Sequence, residues 1–303
     1  MITKFGKRFL TSYLAGNVGF AQKDIALGIG NTEPNGKGKD TRLDFEFYRL
    51  PATLGSIDIS QTGVDPENEP VFSYTVIYKA TIPQDIAGVI SEVGLYPGSR
   101  TSSNNFDSKF LTDFENNLLW SDGSDNPILR PNSTSPEFTA KIGENMVQYN
   151  VTASSTKEYT NSLISYDISG YSVNDTLAIA YKKQDNNLSK IRVKLYSSDT
   201  AYCWIDFTPL SGTGDRIQSA TLNNLFSNVT ATPPDLTNIT KIGVEVTAGS
   251  GGATEVYFDG IRVNDEDTFD PSYGIISRSL LSSPLVKPSG RPVDIEYKLV
   301  LGF

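Results

Sequence analysis

Histidine and cysteine are the residues that this chain lacks most conspicuously. The 303-residue sequence contains no histidine and a single cysteine, Cys203. Without histidine there is no imidazole to act as a general base, to pair with a nucleophilic Ser or Cys, or to bind zinc. One cysteine forms neither an intramolecular disulfide nor a cysteine metal cluster. We therefore expect a fold held together by packing, and a function that does not depend on the common hydrolase triads.

Long apolar runs and an excess of basic residues are also missing. No apolar stretch approaches the roughly 20 residues that span a bilayer. Lys and Arg number 26 against 35 Asp and Glu, which gives a formal charge of −9. A chain with this charge is repelled by phosphate backbones and by anionic lipid surfaces. We expect a soluble protein made in the cytosol, with no nucleic-acid partner and no membrane insertion.

The residues that are plentiful favour β structure. Phe and Tyr, 15 of each, lie among many Thr, Ser, Asn and Gly residues, a composition that suits short strands and polar loops. One helix is expected at 2–14, where apolar residues recur at three- and four-residue steps. The stretch 98–145 is rich in Ser, Asn and Asp and is interpreted as extended loop and linker. Alternating or apolar runs predict strands at 24–29, 43–49, 55–60, 71–82, 89–96, 146–152, 163–168, 176–182, 188–196, 201–207, 239–247 and 254–263.

The last strand of the sequence indicates how the domains are organised. Residues 293–299 alternate apolar and charged side chains, and this strand matches the N-terminal strands at least as well as those just before it. We therefore predict that both ends of the chain form one domain, with a second domain inserted at an exposed loop. The predicted fold is all-β. It has a split β-sandwich formed by 1–139 and 269–303, an inserted jelly-roll β-sandwich at 140–268, and one short N-terminal helix.

Several segments at the two ends of the chain carry recognisable motifs. They are DIALGIGNTEP, RLDFEFYRLP, YKATIP, ISEVGLYPG and ISRSLLSSPLVKPSGRPVDIEYKLVLGF. In this order they resemble a module of virion structural proteins of tailed bacteriophages, found among tail-fibre and baseplate-associated chains. The resemblance covers roughly 20–100 and 273–303. The residues that fit its third and last elements are Glu92, Gly94, Leu95, Tyr96, Lys287, Ile295 and Tyr297.

The predicted insertion has a resemblance of its own. Its segments YDIS, LAIAYK, IRVKLYSS, ITKIGVEVTA and VYFDGIRV resemble jelly-roll domains of the carbohydrate-binding-module type, in which a final D-x-I-x-V strand is common. This resemblance implies an outward-facing binding or decorating domain on a virion protein.

Strict alternation separates the two faces of the strands in the predicted insertion. The apolar parity predicts the core set Ile191, Val193, Leu195, Cys203, Ile205, Phe207, Ile242, Val244, Val246, Val256 and Phe258. The opposite parity combines rings with Arg, Lys and carboxylates, which is the composition of a sugar site. An alternative is that these rings lie beneath a loop or against the other domain, as large aromatics usually do. The candidate glycan-binding residues are Arg192, Lys194, Tyr196, Tyr202, Trp204, Asp206 and Tyr257.

Two further candidate sites depend on single features. Asp259 is a candidate calcium ligand at a β-bulge, although a solvated acid at a bulge is the simpler interpretation. No other cofactor is expected. The helix face formed by Ile2, Phe5, Phe9 and Tyr13 is the candidate docking surface, together with any unpaired edge of the last strand. Packing of this helix on its own sheet is an equally good interpretation.

The function expected from these features needs no turnover and no catalytic residue. The leading expectation is a non-enzymatic structural protein of a tailed-phage virion, in the tail, baseplate or fibre-attachment region, which forms a homo-oligomer and docks to other virion proteins. Its expected location is the virion, assembled in the host bacterial cytoplasm. The alternatives are a glycan-binding adhesin that recognises a host surface polysaccharide, a capsid or neck decoration protein, and, in third place, an enzyme that acts on polysaccharide.

Overall fold

A computed structural model describes residues 2–14, 23–34, 42–97, 109–132, 140–162, 164–264 and 274–302. The chain divides into two compact units, one formed by Met1–Ser103 with Asp267–Phe303 and the other by Asn104–Glu266. The predicted all-β class is confirmed. The elements in chain order are α1 (Lys4–Leu14), β1 (Lys23–Gly28), β2 (Glu46–Val64), β3 (Pro70–Ile82), β4 (Gly88–Tyr96), β5 (Lys109–Thr112), a 3₁₀ turn (Asn117–Leu119), β6 (Trp120–Ser121), β7 (Ile128–Pro131), β8 (Asn145–Val151), β9 (Thr156–Asn161), β10 (Thr176–Lys183), β11 (Leu188–Ser198), β12 (Ala201–Phe207), β13 (Gly214–Thr221), α2 (Leu222–Ser227), β14 (Lys241–Ala248), β15 (Thr254–Asn264), β16 (Ser277–Lys287) and β17 (Val293–Gly302).

The first unit is built on a six-stranded antiparallel sheet with the order β16-β4-β1-β2-β3-β17. The long strand β2 joins its two halves, because its first part pairs with β1 and its second part, from Thr53 onwards, pairs with β3. Both C-terminal strands belong to this sheet, with β16 beside β4 and β17 beside β3. The main core cluster of the unit consists of Ile25, Leu27, Leu50, Ala52, Tyr78, Ile82, Ile90, Leu95, Ile276, Tyr297 and Leu299.

A buried ion pair organises one end of this sheet. Glu92 in β4 is fully buried, and its Oε2 lies 2.9 Å from Nη2 of Arg278 in β16. The same carboxylate accepts hydrogen bonds from the backbone N–H groups of Gly30, Asp44 and Phe45 at 2.9 to 3.1 Å. Burial raises the pKa of Glu92, while the charge of Arg278 and the N–H donors oppose that rise. One carboxylate thereby fixes the segment between β1 and β2 to the sheet.

The motifs at the two ends of the chain have structural roles in this unit. Gly28 and Gly30 pass so close to Glu92 that a Cβ at either position would collide with its side chain. Lys287 is buried at the end of β16 and donates a hydrogen bond to the carbonyl of Ile86 at 2.6 Å. The glycine-rich segment, the glutamate and the late lysine therefore maintain the sheet framework.

The far halves of β2 and β3 form an exposed arm, defined here as Thr53–Val64 with Pro70–Lys79. Its two strands are paired along this length, and a bulge at Gly55 brings Leu54 onto the same face as Ile57 and Ile59. The opposite face carries polar residues, among them Asp58. The apolar face continues the buried core outward but is left uncovered towards the tip, where Ile59 is 61% exposed. The exposed large apolar residues of this face are Leu54, Ile57, Ile59, Val64 and Phe72.

The second unit is a β-sandwich. One sheet has the order β13-β10-β15-β8-β7, with β5 also paired to β15, and the other has the order β12-β11-β14-β9-β6. Both sheets contribute to one core, and all the residues of the predicted core set are in it, which confirms that prediction. Aromatic rings close one region of this core, where Phe114 stacks on Trp120 with ring centroids 4.6 Å apart.

Three expectations about this unit were wrong. The strand predicted at 163–168 is absent from the described residues 164–168, where Tyr166 forms an isolated bridge with Ile239. Residues 109–131 were interpreted as loop and placed before the boundary at 139, but they contain β5, β6 and β7, which pair with β15, β9 and β8 of the second unit. These strands are two to four residues long, so they have too few residues for an alternating pattern. The short helix α2 was also not predicted. It forms because Leu222 and Leu225 are buried in the core of the sandwich.

Candidate functional site

The candidate site lies on the outer face of the sheet β12-β11-β14-β9-β6. The antiparallel register of β11 and β12 places Arg192 opposite Asp206, Lys194 opposite Trp204, and Tyr196 opposite Tyr202. The residues between them point into the core of the sandwich. Alternation alone therefore brings six of the seven predicted glycan-binding residues together on one face, because neighbouring side chains of a strand point to opposite sides.

Charged side chains from two further strands complete this face. Lys194 Nζ lies 2.6 Å from Glu158 Oε2 of β9 and 2.7 Å from Glu245 Oε2 of β14. Arg192 makes a two-pronged ion pair with Asp206, at 2.6 Å from Nε and 2.9 Å from Nη2. We call the set Lys190, Arg192, Lys194, Tyr196, Tyr202, Trp204, Asp206, Lys241, Glu158 and Glu245 the platform.

Gly243 allows a hydrogen bond between two platform residues of different strands, Glu158 and Tyr196. This residue is in β14, opposite Lys194 on one side and Thr160 on the other. A Cβ at this position would collide with Oε1 of Glu158 and would crowd the ring of Tyr196. The missing side chain lets Glu158 reach across β14, where it accepts a hydrogen bond from the Tyr196 hydroxyl at 2.6 Å.

The aromatic rings of the platform lie next to each other. The ring centroids of Tyr196 and Tyr202 are 4.7 Å apart, and those of Tyr202 and Trp204 are 5.8 Å apart. Tyr196 is only 6% exposed, with Lys241 Nζ 4.4 Å from its ring centroid. Tyr202 and Trp204 are half-buried, with part of each side chain facing solvent. These two rings are therefore the surfaces on which a ligand can stack.

Contacts within the platform shift the pKa values of three of its charged groups and of Tyr196. The hydrogen bonds from Arg192 lower the pKa of Asp206, and the pKa of Arg192 is raised in return. Burial lowers the pKa of Lys194, but its hydrogen bonds to Glu158 and Glu245 outweigh burial and raise it overall. Burial and the hydrogen bond to Glu158 raise the pKa of Tyr196. Around neutral pH these groups hold fixed charges and present fixed donors and acceptors.

Tyr257, the seventh predicted glycan-binding residue, belongs elsewhere. It is in β15 of the opposite sheet and is 0% exposed, packed with Ala140 and Met146. Its neighbour Asp259 is also buried, and its carboxylate accepts a hydrogen bond from the backbone N–H of Lys141 at 2.7 Å. Parity distinguishes inner from outer faces but does not say which sheet a strand joins, so the prediction for Tyr257 was wrong.

The proposed calcium role of Asp259 has little support in this arrangement. Both of its oxygens accept backbone N–H groups, since Ile142 donates to each at 3.3 Å. Burial raises the pKa of Asp259 well above its usual value. Among the residues that the structure describes, no group of three or more Asp, Glu or Cys side chains is arranged to hold a metal ion. Asp259 instead fixes the segment 140–142 to the sheet.

The predicted docking helix is described only in part. Ile2 forms an isolated bridge with Ser277 and packs against the core of the first unit. Thr3, just before α1, is hydrogen-bonded through its backbone N–H to the carbonyl of Ile276 at 3.0 Å. The start of the helix is thus attached to β16 of its own unit. The side chains of Phe5, Phe9 and Tyr13 lie outside the described part of the structure.

Glu158, Lys190 and Lys241 are platform residues that were not predicted from the sequence, and Gly243, which lets Glu158 reach Tyr196, was not predicted either. Strand β9, which carries Glu158, was not predicted because its sequence TKEYTN is short and polar. The period-2 placement of Tyr159 and Asn161 on the buried side is the signal that identifies this strand.

In the described ranges no helix is long and apolar enough to cross a bilayer.

Comparisons with known proteins give structural neighbours only. No family model matches the sequence, and no curated protein matches it. Among solved structures, the chain is similar to an exo-β-agarase, with a TM-score of 0.38 and 15% identity over 52% of this chain and 25% of the agarase. It is similar to the family 11 carbohydrate-binding module of Clostridium thermocellum, with a TM-score of 0.35 and 15% identity over 54% of this chain and 98% of the module.

A third structural neighbour is the enzymatically active domain of tailspike protein 4 of bacteriophage CBA120. Its TM-score is 0.30, with 11% identity over 53% of this chain and 21% of the tailspike chain. The chain spans about a quarter of the exo-β-agarase and of the next two solved structures. The structural neighbours thus include a carbohydrate-binding module and a phage tailspike domain.

Proposed function

We propose that this protein is a non-enzymatic, glycan-binding component of a tailed-bacteriophage virion, and that the platform on the second unit is its glycan-binding site. The observation that carries the proposal is the juxtaposition of Tyr202 and Trp204, both half-buried, with a fixed set of charged groups on one sheet face. Sugar rings stack their C–H faces on aromatic rings, and their hydroxyls need polar partners of fixed direction. The platform offers both within one strand pair.

Binding without cleavage agrees with the chemistry of the platform. Hydrolysis of a glycosidic bond by the usual route needs one carboxylic acid with a raised pKa next to a second carboxylate. Asp206, the most exposed carboxylate beside the rings, has its pKa lowered by Arg192. Glu158 and Glu245 are both held in ion pairs with Lys194. These contacts keep the carboxylates in place as hydrogen-bond acceptors.

A glycan array tests this proposal directly. The full chain should bind at least one polysaccharide, and Trp204→Ala should weaken that binding about tenfold or more, because a central aromatic contact is lost. Phe72→Ala is the matched control, since it removes an exposed ring from the first unit. Equal binding by wild type and Trp204→Ala would reject the platform as the site. Shortened polysaccharide chains after incubation would reject the non-enzymatic role.

The virion role is proposed for the first unit. Its support is the resemblance of the terminal segments to phage structural modules, whose motif residues Glu92 and Lys287 are buried in the sheet framework. We expect the neighbouring open reading frames to encode tail or capsid proteins. Detection of this chain by mass spectrometry in purified particles would place it in the virion, and its absence from them would reject the role.

We also propose that the arm of the first unit docks to the arm of a second copy. Its exposed face has no charged residue, and Asp58 is the one charge between Thr53 and Val64, so two acidic chains can approach there without strong repulsion. In the described residues the edge of β2 beyond Ala52 has no strand beside it opposite β3. Open edges and uncovered apolar faces are where β proteins associate.

The turn at the tip of the arm favours an antiparallel arrangement. It carries Asp65, Glu67 and Glu69, and two-fold antiparallel packing keeps the two acidic tips apart. Sedimentation velocity should show a wild-type oligomer that dissociates in the double variant Ile57→Ser/Ile59→Ser. Leu118→Ser, which removes an exposed apolar side chain from the second unit, is the control that should stay associated. A wild-type monomer at high concentration would reject self-association.

A further inference from the structure

The charges of the platform are matched one to one. Each of its four cations has a carboxylate within 4 Å: Lys190 with Glu245 at 3.7 Å, Arg192 with Asp206 at 2.6 Å, Lys194 with Glu158 at 2.6 Å, and Lys241 with Asp199 in a short ion pair. Three carboxylates of the platform, Glu158, Asp206 and Glu245, balance the four positive charges together with Asp199, which lies in the adjoining turn between β11 and β12. The face therefore has no net formal charge, although the whole chain carries −9.

Two of these ion pairs leave little room for an anionic ligand to contact the cation. Lys194 is almost fully buried and is held by two carboxylates at once, so an incoming anion would meet two like charges and little exposed surface of the ammonium group. Arg192 already uses Nε and Nη2 in its contact with Asp206. Recognition of a sulfate, phosphate or uronate group relies on an Arg or Lys that is free to make such a contact. Three of the four cations of the platform, Arg192, Lys194 and Lys241, are in close ion pairs before any ligand arrives, while Lys190 lies 3.7 Å from Glu245.

The surfaces left for a ligand are the solvent-facing parts of two aromatic rings and the lone pairs of a carboxylate, although Arg192 lies 5.2 Å from the ring centroid of Trp204 and Lys194 lies 5.5 Å from that of Tyr202. Tyr202 and Trp204 each expose part of a ring. Asp206 is 41% exposed in its side chain, and each of its oxygens has accepting capacity beyond its bond to Arg192. Hydroxyl groups of a sugar can donate to these oxygens, while a carboxylate or sulfate on the sugar would meet like charge. The acidic chain as a whole also repels polyanions at long range.

We infer that the ligand class of the platform is an uncharged glycan, bound by stacking on Tyr202 and Trp204 and by hydroxyl donation to Asp206. This inference rests on the proposed glycan-binding function and narrows it. Because no net charge is neutralised on binding, the affinity depends little on salt. Neutral polysaccharides are therefore the expected ligands, and acidic capsular polysaccharides are expected to bind more weakly.

The experiment compares charged and uncharged derivatives of the same polymers, with the hydroxyethylated form as the reference for the carboxymethylated one, because both substitute the same hydroxyls and only the second adds charge. Neutral glucan, mannan, galactan and xylan are each measured by titration calorimetry with the full chain, beside the hydroxyethylated and carboxymethylated forms of the same polymer, at low and at high salt. The inference expects at least one neutral polymer to bind with an affinity that salt leaves unchanged, and its carboxymethylated form to bind several-fold more weakly than its hydroxyethylated form. Tighter binding of carboxymethylated polymers, weakened by salt, would overturn the neutral class and leave glycan binding intact. No binding to any polymer would overturn the proposed function together with the inference.

A charge variant gives the second readout. Asp206→Asn removes the carboxylate that engages Arg192, so the platform gains one net positive charge while its rings are unchanged. We expect this variant to bind the carboxymethylated polymer several-fold more tightly than wild type does, with a new dependence on salt. Asp215→Asn is the matched control, because it removes the same charge from an exposed ion pair with Lys141 in the opposite sheet. An equal gain in both variants would assign the effect to the whole-molecule charge and contradict the inference.

Discussion

At the scale of single residues, the platform holds its ionisation states by direct contacts. The pKa of Asp206 is lowered by the hydrogen bonds from Arg192, and that of Lys194 is raised by two carboxylates despite burial. Tyr196 has its pKa raised, mainly by burial, and stays neutral. No group with these shifts changes its charge near neutral pH. The binding surface is therefore the same over a wide range of pH.

This constancy predicts a flat pH profile for glycan binding. Reference pKa values put Asp below and Lys above the range from about pH 5 to about pH 9, and the shifts of Asp206 and Lys194 move each further from it. The affinity for a neutral polymer should thus stay constant across that range when measured by titration calorimetry. Circular dichroism at each pH provides the control for folding. A bell-shaped profile centred in this range would show that a titrating group outside the platform takes part.

Asp259, unlike Asp206, has its pKa raised. Burial raises its pKa well above the usual value, so folding favours its protonated form. The contribution of this carboxyl to stability is fully present below the unfolded pKa of about 4 and is lost as the pH rises through the folded value. We expect the free energy of unfolding of wild type, relative to Asp259→Asn, to be largest near that pH and to fall as the pH increases.

Urea unfolding of both proteins over a series of pH values measures this difference. Asp125→Asn, in the turn between β6 and β7, is the control, because its side chain is exposed and is not among the groups that shift the pKa of Asp259. A gap between wild type and Asp259→Asn that widens towards alkaline pH would mean that the ionised carboxylate is the stabilising form. The backbone hydrogen bonds from Lys141 and Ile142 would then outweigh burial.

The candidate site could be predicted from the sequence where one strand pair defines it. Alternation placed Arg192 and Trp204 on one face because both strands are long and strongly patterned. Glu158 was missed because its strand is short and polar, and Gly243 because a glycine gives no pattern until its neighbours are known. Tyr257 was assigned wrongly because the pairing of its strand with β8 and β10 depends on contacts far apart in the sequence.

At the scale of elements, the ion pair of Glu92 with Arg278 connects β4 and β16 with the segment between β1 and β2. Both side chains are buried, and the carboxylate also receives three backbone N–H groups. Removing one member of a buried pair leaves an uncompensated charge, which typically costs about 3 to 5 kcal/mol. We expect Arg278→Met to destabilise the first unit by about that amount, as measured by urea unfolding.

The double variant Glu92→Gln/Arg278→Met distinguishes charge from packing. Because it removes both charges and keeps much of the side-chain volume, it should recover part of the stability lost in Arg278→Met. A double variant less stable than Arg278→Met would contradict this expectation. It would show that the ionised carboxylate of Glu92 stabilises the unit through the N–H groups of Gly30 and Phe45 even without Arg278. Unfolding of the second unit, followed in the same titration, should not change.

The elements with long periodic runs were predictable, and the shortest ones were not. The strands with alternating Val and Ile, such as β14, were identified close to their bounds. β5 and β6 are four and two residues long, and they form because β15 and β9 offer pairing partners. Trp120, at the start of β6, is buried against Phe114, and this is a tertiary contact that no local pattern shows.

At the scale of the whole molecule, the chain order and the sheet order differ in one decisive way. β16 and β17 follow the entire second unit in the sequence, yet they pair with β4 and β3 of the first. The paired strands and the large core of the second unit, by contrast, all come from Asn104–Glu266. The second unit therefore has every strand that its core requires, while the sheet of the first unit is complete only when β16 and β17 have been made.

This asymmetry predicts opposite outcomes for two fragments. Residues 104–266 produced alone should fold, with a cooperative thermal transition in circular dichroism, because all their strand partners are present. Residues 1–266 should contain the same folded sandwich attached to an unfolded N-terminal part, since the loss of β16 and β17 exposes Ile25, Leu95 and Tyr78 of the core. Limited proteolysis followed by mass spectrometry distinguishes the two parts, with the full chain as the control. Protection of residues 23–97 in the shorter fragment would mean that the N-terminal strands are stable by themselves, which is incompatible with a sheet that needs both ends of the chain.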